Sequence, residues 1–273
     1  MSVSLPDHLS WLVDTGRAMK TAEGKSVRVL ELRHQDDDRV LSAWAKHFRN
    51  QYCSDDQIDA LRGGTRLSRS EYLRERKFPD QTQAPGPSIR SGDFGEILIA
   101  DYLEFVLEYW LPRFRYDHKA VRNESTKGTD IIGFRLVTPG RDDLQDTLAI
   151  FEAKAKLTGP NADGQLQTAV DGSAKDELRK AESLNAIKQR LIDCDQAAEV
   201  QVVERFQNPE DRPHTEAYGA VALMSTSLLN ENDISSTLTT SHPCPNDLAL
   251  IVIHGSDLMP LVHKLYQRAA DEA

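Results

Sequence analysis

The sequence predicts a soluble α/β protein in which helices flank a central mixed β-sheet, and three observations support this fold class. Apolar residues make up 39% and charged residues 28% of the 273 residues, a balance typical of globular proteins with a sizeable core. Helical and strand patterns alternate after residue 92, in the order α-β-β-β-α-β followed by β-α. No stretch approaches the roughly 18 to 20 consecutive apolar residues that a membrane span requires. We therefore expect no membrane partner.

The elements after residue 92 are predicted from the spacing of their apolar residues. Residues 93–110 place apolar side chains on one helix face. A long amphipathic helix is predicted over residues 173–192, with Ser173 as its N-cap and with Leu178 and Leu184 on its apolar face. The other predicted elements are strands at 114–116, 129–137, 147–156, 218–224 and 248–254 and a closing helix at 258–270. This order predicts a core domain over residues 92–273.

Residues 1–80 are predicted to form a mostly helical N-terminal accessory region. They contain one alternating strand pattern, at residues 27–32, and a helix that starts at Ser54 and stops at the pair Gly63 and Gly64. Residues 77–92 contain three prolines and few apolar residues, which is typical of a linker or an ordered loop. We place the domain boundary in this segment.

The net charge and the cysteine content limit the possible partners and the cellular compartment of the protein. The formal net charge is −10, which disfavours nucleic-acid binding because phosphate contacts are made by Lys and Arg. A locally basic groove or a partner protein would have to compensate for that charge. The three cysteines, Cys53, Cys194 and Cys244, are far apart in the sequence and predict reduced thiols in a cytoplasmic protein.

An acidic residue followed two positions later by lysine occurs four times, so this pattern alone decides nothing. The copies at residues 23–25, 75–77 and 117–119 lie in polar surroundings or at the polar end of a short strand. The fourth copy, Glu152 and Lys154, lies in the apolar strand 147–156. Strand alternation places both side chains on one face, where a buried charge is costly unless it is paired or binds a metal.

Two further carboxylates are predicted to converge on Glu152. Asp130 opens the apolar strand pattern 129–137, and Glu96 lies in the first turn of the helix predicted over 93–110. If the two strands pair, Asp130 and Glu152 meet, and a divalent cation such as Mg²⁺ or Mn²⁺ relieves the repulsion between them. Glu96 would be a third ligand, and Lys154 would orient a water molecule or stabilise negative charge on a phosphate.

Each of these residues also has a plain structural interpretation. Glu152 and Lys154 could form an ion pair at the end of a strand. Asp130 could cap a turn after Gly128 and Thr129. Glu96 could be an acidic residue that is favoured by the dipole of its helix.

Basic residues are concentrated in two parts of the sequence that could contact phosphate. The first cluster lies between Glu96 and Asp130, and the second precedes the predicted boundary. Their members are Arg113, Arg115, Lys119, Arg122 and Lys127 in the first cluster, and Arg62, Arg66, Arg69, Arg74, Arg76 and Lys77 in the second. An ordinary solvated surface is the alternative interpretation for both clusters.

The order of elements and the positions of these residues resemble the PD-(D/E)xK nuclease superfamily. Asp130 matches the aspartate of the first half of the motif, and Glu152 with Lys154 matches the second half. Thr129 stands where the name of the motif has proline. The resemblance covers about residues 92–225 and implies a restriction-endonuclease-like core with Glu96, Asp130, Glu152 and Lys154 as catalytic residues.

A narrower resemblance is to the HamA nucleases of Hachiman anti-phage systems and to the related AbpA-type proteins. It is carried by the segments 91–96, 123–130 and 151–154, together with WAKHFRNQY at residues 44–52. This resemblance implies an effector that degrades DNA under the control of a helicase subunit, similar to HamB, which also engages the DNA. The alternatives are a subunit that keeps the nuclease fold but only regulates a helicase, and a nuclease that acts on RNA.

Overall fold

The computed structural model, which describes residues 4–161 and 164–273, has a six-stranded mixed β-sheet at its centre. The strands are β1 (Leu12–Lys20), β2 (Ser26–Leu32), β3 (Ile131–Arg135), β4 (Thr147–Lys156), β5 (Thr215–Ser225) and β6 (Leu248–Gly255). Their order across the sheet is β1-β2-β6-β5-β4-β3. The four central strands run parallel to one another, whereas β1 and β3 pair antiparallel at the two edges. The expected α/β class with a central mixed sheet and flanking helices is confirmed.

Eight α-helices surround this sheet in the described part of the chain. They are α1 (Asp38–Tyr52), α2 (Ile58–Arg62), α3 (Arg69–Tyr72), α4 (Gly86–Asp101), α5 (Gln165–Asp193), α6 (Ala197–Arg205), α7 (Glu231–Ser235) and α8 (Leu258–Asp271). Single π-helical turns continue α3 over Leu73–Lys77 and α4 over Tyr102–Val106, and short 3-10 helices cover Asp7–Trp11 and Thr226–Leu228. In the described part of the chain, no helix is long and apolar enough to cross a membrane.

The two faces of the sheet bury separate hydrophobic cores. Helices α1, α4 and α8 supply the core on one face, and α5 and α6 supply much of the core on the other. In β4 the side chains alternate as predicted, because Phe151 and Ala153 enter the first core whereas Leu148 and Ile150 enter the second. Glu152 and Lys154 therefore point toward the side of the sheet that carries α5.

The edge strand β3 is shorter than its neighbour β4. The part of β4 that carries the charged residues therefore has no strand beside it on that edge. Strand β3 begins at Ile131, which is paired with Phe151 of β4. Residues 152–156 of β4 thus extend beyond the start of β3, although they still pair with β5 on the other side. The polar side chains of Glu152 and Lys154 in this part of β4 therefore line a cleft.

The N-terminal region contributes two strands to the same sheet. The predicted strand at 27–32 is confirmed as β2, which pairs in parallel with β6. Strand β1 was not predicted, because its sequence lacks regular alternation and its pairing is interrupted between Asp14 and Ala18. The division into an accessory region at 1–80 and a core domain at 92–273 stays a prediction.

The strand predicted at residues 114–116 is wrong. These residues form turn and irregular structure, and Trp110 instead makes an isolated bridge with Phe134. Pro112 has no backbone N–H to donate to a ladder. The side chains of Arg115 and Tyr116 contact carboxylates, as described below, and these contacts hold the segment across the end of the sheet.

Two helices begin earlier than predicted. Helix α4 begins at Gly86, seven residues before the predicted start at residue 93, and a proline occupies its first turn. Proline is tolerated there because the N–H groups of the first turn have no partner within the helix. Helix α5 begins at Gln165, so Ser173 is an interior residue and its prediction as an N-cap is wrong.

Candidate active site

The structure brings the four predicted site residues to one cleft with a volume of about 770 Å³. Glu96 projects from α4, Asp130 lies directly before β3, and Glu152 and Lys154 lie on β4 beyond its last pair with β3. The cleft exists because β4 continues past the first residue of β3. Helices α4 and α5 lie on opposite faces of the sheet. Three separate segments of the chain therefore meet at one point.

Asp130 and Glu152 lie on either side of the Lys154 ammonium group. The Lys154 Nζ atom is 2.5 Å from Glu152 Oε1 and 4.0 Å from Asp130 Oδ2. The backbone N–H of Ala153 donates a hydrogen bond of 3.2 Å to Asp130 Oδ2, which ties the aspartate to the neighbouring strand. The turn-cap interpretation of Asp130 is therefore incomplete, because its carboxylate also faces the cleft.

Glu96 is joined to Asp130 by Arg115. The Arg115 Nε atom lies 2.6 Å from Glu96 Oε2, and its Nη2 atom lies 2.6 Å from Asp130 Oδ1. The Tyr116 hydroxyl donates a further hydrogen bond of 2.5 Å to Glu96 Oε2. Because Arg115 also donates to the carbonyl oxygen of Thr129, at 2.8 Å, its guanidinium group is held in place between the two carboxylates.

A fourth carboxylate, Asp176 on α5, was missed by sequence reasoning. Asp176 is 0% exposed, and its Oδ1 atom accepts a hydrogen bond of 3.3 Å from the Thr129 hydroxyl. Its Oδ2 atom is buried and has no hydrogen-bond partner among the described residues. A buried carboxylate oxygen without a donor is costly. This oxygen is therefore poised to accept a proton or to bind a cation.

A signal for Asp176 was present but lay outside the predicted helix. When the helix is extended to its true start, Leu166, Val170 and Ser173 form the buried stripe of α5, and Asp176 continues it. The predicted apolar face instead included Leu178, which is 85% exposed. The predicted apolar face is right at Leu184, which is buried, and wrong at Leu178.

The electrostatics of the cleft favour an additional positive charge. Burial, and next the charge of Asp130, raise the pKa of Glu152 to about 8, of Glu96 to about 7 and of Asp176 to about 6. Burial lowers the pKa of Lys154, but the adjacent Glu152 carboxylate outweighs it and raises that pKa overall. The four carboxyl groups are thus accompanied by two cationic side chains, Arg115 and Lys154, which can neutralise only two negative charges.

In this arrangement the basic side chains take the positions between the carboxylates. Among the described residues, no group of three or more His, Cys, Asp or Glu side chains is arranged as a ready metal site. The shortest contacts of Glu96 and Glu152 are made with Arg115, Tyr116 and Lys154. A cation that entered the cleft would replace some of these contacts.

The walls of the cleft are basic although the chain is acidic. Lys127 precedes the site in sequence, and Arg179 and Arg190 line the same cleft from α5. Most of the first predicted basic cluster serves internal ion pairs instead: Arg113 contacts Asp101 and Glu104, Lys119 contacts Asp93, and Arg122 contacts Asp80. A local excess of positive side chains around the rim is compatible with an anionic substrate.

Comparison with known protein families gives one match that spans nearly the whole chain. The sequence model of the HamA family matches residues 6–269. The matched range includes all the strands and all four predicted site residues. No curated protein matches the chain.

Proposed function

Because the chain belongs to the HamA family of Hachiman anti-phage defence proteins, we propose that it is a metal-dependent nuclease that hydrolyses DNA phosphodiester bonds. The observation that carries the proposal is the meeting of Glu96, Asp130, Glu152 and Lys154 in one cleft beside the start of the short edge strand β3. Carboxylates and a lysine on two adjacent strands, with a further carboxylate from a helix, are the arrangement expected of a PD-(D/E)xK-like core.

The residues of the cleft suit Mg²⁺ or Mn²⁺ by their chemistry. Asp130 and Glu152 would hold the ion and Glu96 would assist, since hard divalent cations prefer carboxylate oxygens. Two observations support this fit: the raised pKa values of the carboxyl groups and the unpartnered buried Oδ2 atom of Asp176. When bound, the ion supplies Lewis acidity that activates water and compensates the charge of the phosphate.

The remaining side chains would position the reactants. Lys154, beside Glu152, can orient the attacking water or donate a hydrogen bond to the phosphate oxygen on which charge develops. The water oxygen forms a bond to phosphorus while the bond from phosphorus to the leaving oxygen breaks; the proton that the water loses passes to solvent, and the leaving oxygen takes a proton from solvent. Lys127, Arg179 and Arg190 can bind the flanking phosphates of the strand in the cleft.

A helicase subunit similar to HamB would complete the substrate-binding surface. The 33 Lys and Arg residues of this chain are outnumbered by 43 Asp and Glu residues, and the resulting net charge of −10 opposes binding of a long stretch of DNA. A partner that engages DNA and controls access to the cleft would supply that affinity. The alternative is a non-catalytic subunit that regulates the helicase, and it predicts a cleft that binds no metal.

Calorimetry with Mn²⁺ separates these two functions. We expect saturable Mn²⁺ binding by the wild-type protein and at least about a 10-fold weaker affinity for Asp130→Asn, because a ligand charge is lost at the site. Asp56→Asn, which changes an exposed aspartate, is the matched control and should bind as the wild type does. Equal binding by the wild type and Asp130→Asn would refute the metal site, and absence of binding in both would favour the regulatory subunit.

A glycine on α5 provides a test of how closely Glu152 must be positioned. A Cβ atom at Gly172 would lie 2.5 Å from Glu152 Oε1, closer than any normal contact. Gly172→Ala should therefore displace the carboxylate and reduce DNA cleavage about 10- to 100-fold, the range typical of disturbed metal-site geometry. Cleavage rates measured at saturating Mg²⁺ would show this loss.

Gly92→Ala is the matched control for Gly172→Ala. Gly92 also lies within a helix, α4, but a Cβ atom there would have no neighbour within 4 Å. Because alanine favours the helix over glycine, this variant should gain about 0.5–1 kcal/mol in the free energy of unfolding and cleave DNA at the wild-type rate. Equal cleavage by both alanine variants would show that the position of Glu152 is not critical.

A further inference from the structure

A second cavity, with a volume of about 430 Å³, is lined by three arginine side chains. Arg90 comes from α4, Arg74 from the π-helical turn after α3, and Arg122 from the segment before β3. Tyr266 of α8 forms part of the wall. None of these residues lines the cleft that contains Glu152.

Arg90 is buried without an acidic partner. Its side chain is 6% exposed, its Nε atom donates a hydrogen bond of 2.8 Å to the carbonyl oxygen of Pro79, and its guanidinium carbon lies 4.3 Å from the centre of the Tyr266 ring. No carboxylate in residues 4–161 and 164–273 forms a salt bridge with Arg90, and its Nη atoms donate no hydrogen bond to those residues. Burial lowers its pKa, as expected of a charge that lacks compensation.

The chain itself fixes the other two guanidinium groups in the cavity wall. Arg122 donates through Nη1 to the carbonyl oxygens of Arg74, at 2.8 Å, and Phe78, at 3.2 Å, and through Nη2 to Asp80. The Asp80 carboxylate is held in turn by backbone N–H groups of the following turn, and these lower its pKa to about 2. Arg74 pairs with a carboxylate at the end of α8. Among the described residues, three guanidinium groups and one carboxylate, that of Asp80, thus line the cavity.

We infer that this cavity binds a phosphate group. A buried guanidinium group without a counterion is costly, and a phosphate compensates it through paired hydrogen bonds that match the guanidinium fork. The volume accommodates a ligand the size of a nucleotide. The phosphate can belong to free phosphate or a mononucleotide, or to the backbone of a nucleic-acid strand.

Negative charge added at the rim of the cavity tests this inference without disturbing buried residues. Gln81 and Gln267 line the cavity and are exposed, so Gln81→Glu with Gln267→Glu adds two negative charges at its mouth. The control is Gln57→Glu with Gln201→Glu, which adds the same charge at exposed positions outside the cavity. Binding of inorganic phosphate is measured by calorimetry at constant ionic strength, in EDTA so that no divalent metal takes part.

The wild type and the control are expected to bind phosphate saturably, and the rim variant at least about 10-fold more weakly, which corresponds to about 1.4 kcal/mol. Arg90→Gln should lose binding altogether, with thermal unfolding as the check that it folds. Absence of saturable binding by the wild type, or equal binding by the rim variant and the control, would overturn the inference. The readout involves no DNA cleavage, so its failure is separate from failure of the nuclease proposal.

Competition identifies the source of the phosphate. Displacement of phosphate by an unlabelled single-stranded oligonucleotide would assign the cavity to a nucleic-acid backbone. Displacement by adenosine monophosphate, without displacement by the oligonucleotide, would assign it to a small phosphorylated ligand. Both results support phosphate binding and differ only in where the phosphate comes from.

Discussion

Glu152→Gln is expected to reduce DNA cleavage by at least about 100-fold while the protein remains folded, because one charged group at such a site typically contributes a factor of this size. Glutamine keeps the size of the side chain but removes the charge that would hold the metal. Glu152 is buried, and burial together with Asp130 raises its pKa to about 8. The ionised carboxylate is therefore costly to the fold, and the variant should be at least as stable as the wild type.

The two readouts of Glu152→Gln distinguish a catalytic role from a structural one. Cleavage of linear DNA in Mg²⁺ should fall, whereas the free energy of unfolding measured in EDTA should not fall. Glu210→Gln, an exposed glutamate outside the cleft, is the matched control and should leave both quantities unchanged. A Glu152→Gln protein that cleaves at the wild-type rate would remove Glu152 from the site.

The largest effect on stability is expected at Asp101, the last residue of α4. Asp101 is 0% exposed and accepts hydrogen bonds from His8, at 3.1 Å, from His47, at 2.9 Å, and from Arg113, at 2.8 Å. Burial raises its pKa, but the nearby His47 and its other partners outweigh this and hold that pKa well below its usual range. Asp101→Asn should cost about 3 kcal/mol, since it leaves buried donors without their charged acceptor.

The exposed Asp59 provides the control for the stability loss expected of Asp101→Asn. Asp59 pairs with Arg62 and Arg69 but is 51% exposed, so Asp59→Asn should cost much less stability than Asp101→Asn. Urea unfolding of the two variants at neutral pH gives both free energies. Equal losses in the two variants would mean that the buried cluster around Asp101 contributes no more than a surface ion pair does.

The strands of the core could be predicted closely because their sequences alternate or stay apolar over their whole length. Residues 147–156 were predicted as a strand, and β4 has these bounds. The side-chain parity of β4 followed from the same pattern and placed Glu152 beside Lys154. Local sequence sufficed here because a strand with one face in each core has no other stable register.

The parts that could not be predicted depend on contacts between distant segments. Ser173 was predicted as the N-cap of a helix, whereas α5 begins at Gln165 and its Gly172 packs so closely on the Glu152 carboxylate that no side chain would fit there. Arg115 was predicted only as part of a basic cluster, since its contacts with Glu96 and Asp130 form only when three segments meet.

Cleavage of nucleic acid by the purified protein is the most direct test of the proposed activity. Purified wild-type protein is incubated with linear double-stranded DNA, single-stranded DNA or RNA, in Mg²⁺ and in EDTA. The proposed activity predicts Mg²⁺-dependent cleavage of DNA that is lost in EDTA, restored by added Mg²⁺ and absent from Glu152→Gln. DNA cleavage that persists in EDTA, or that is equal in the wild type and Glu152→Gln, would contradict it.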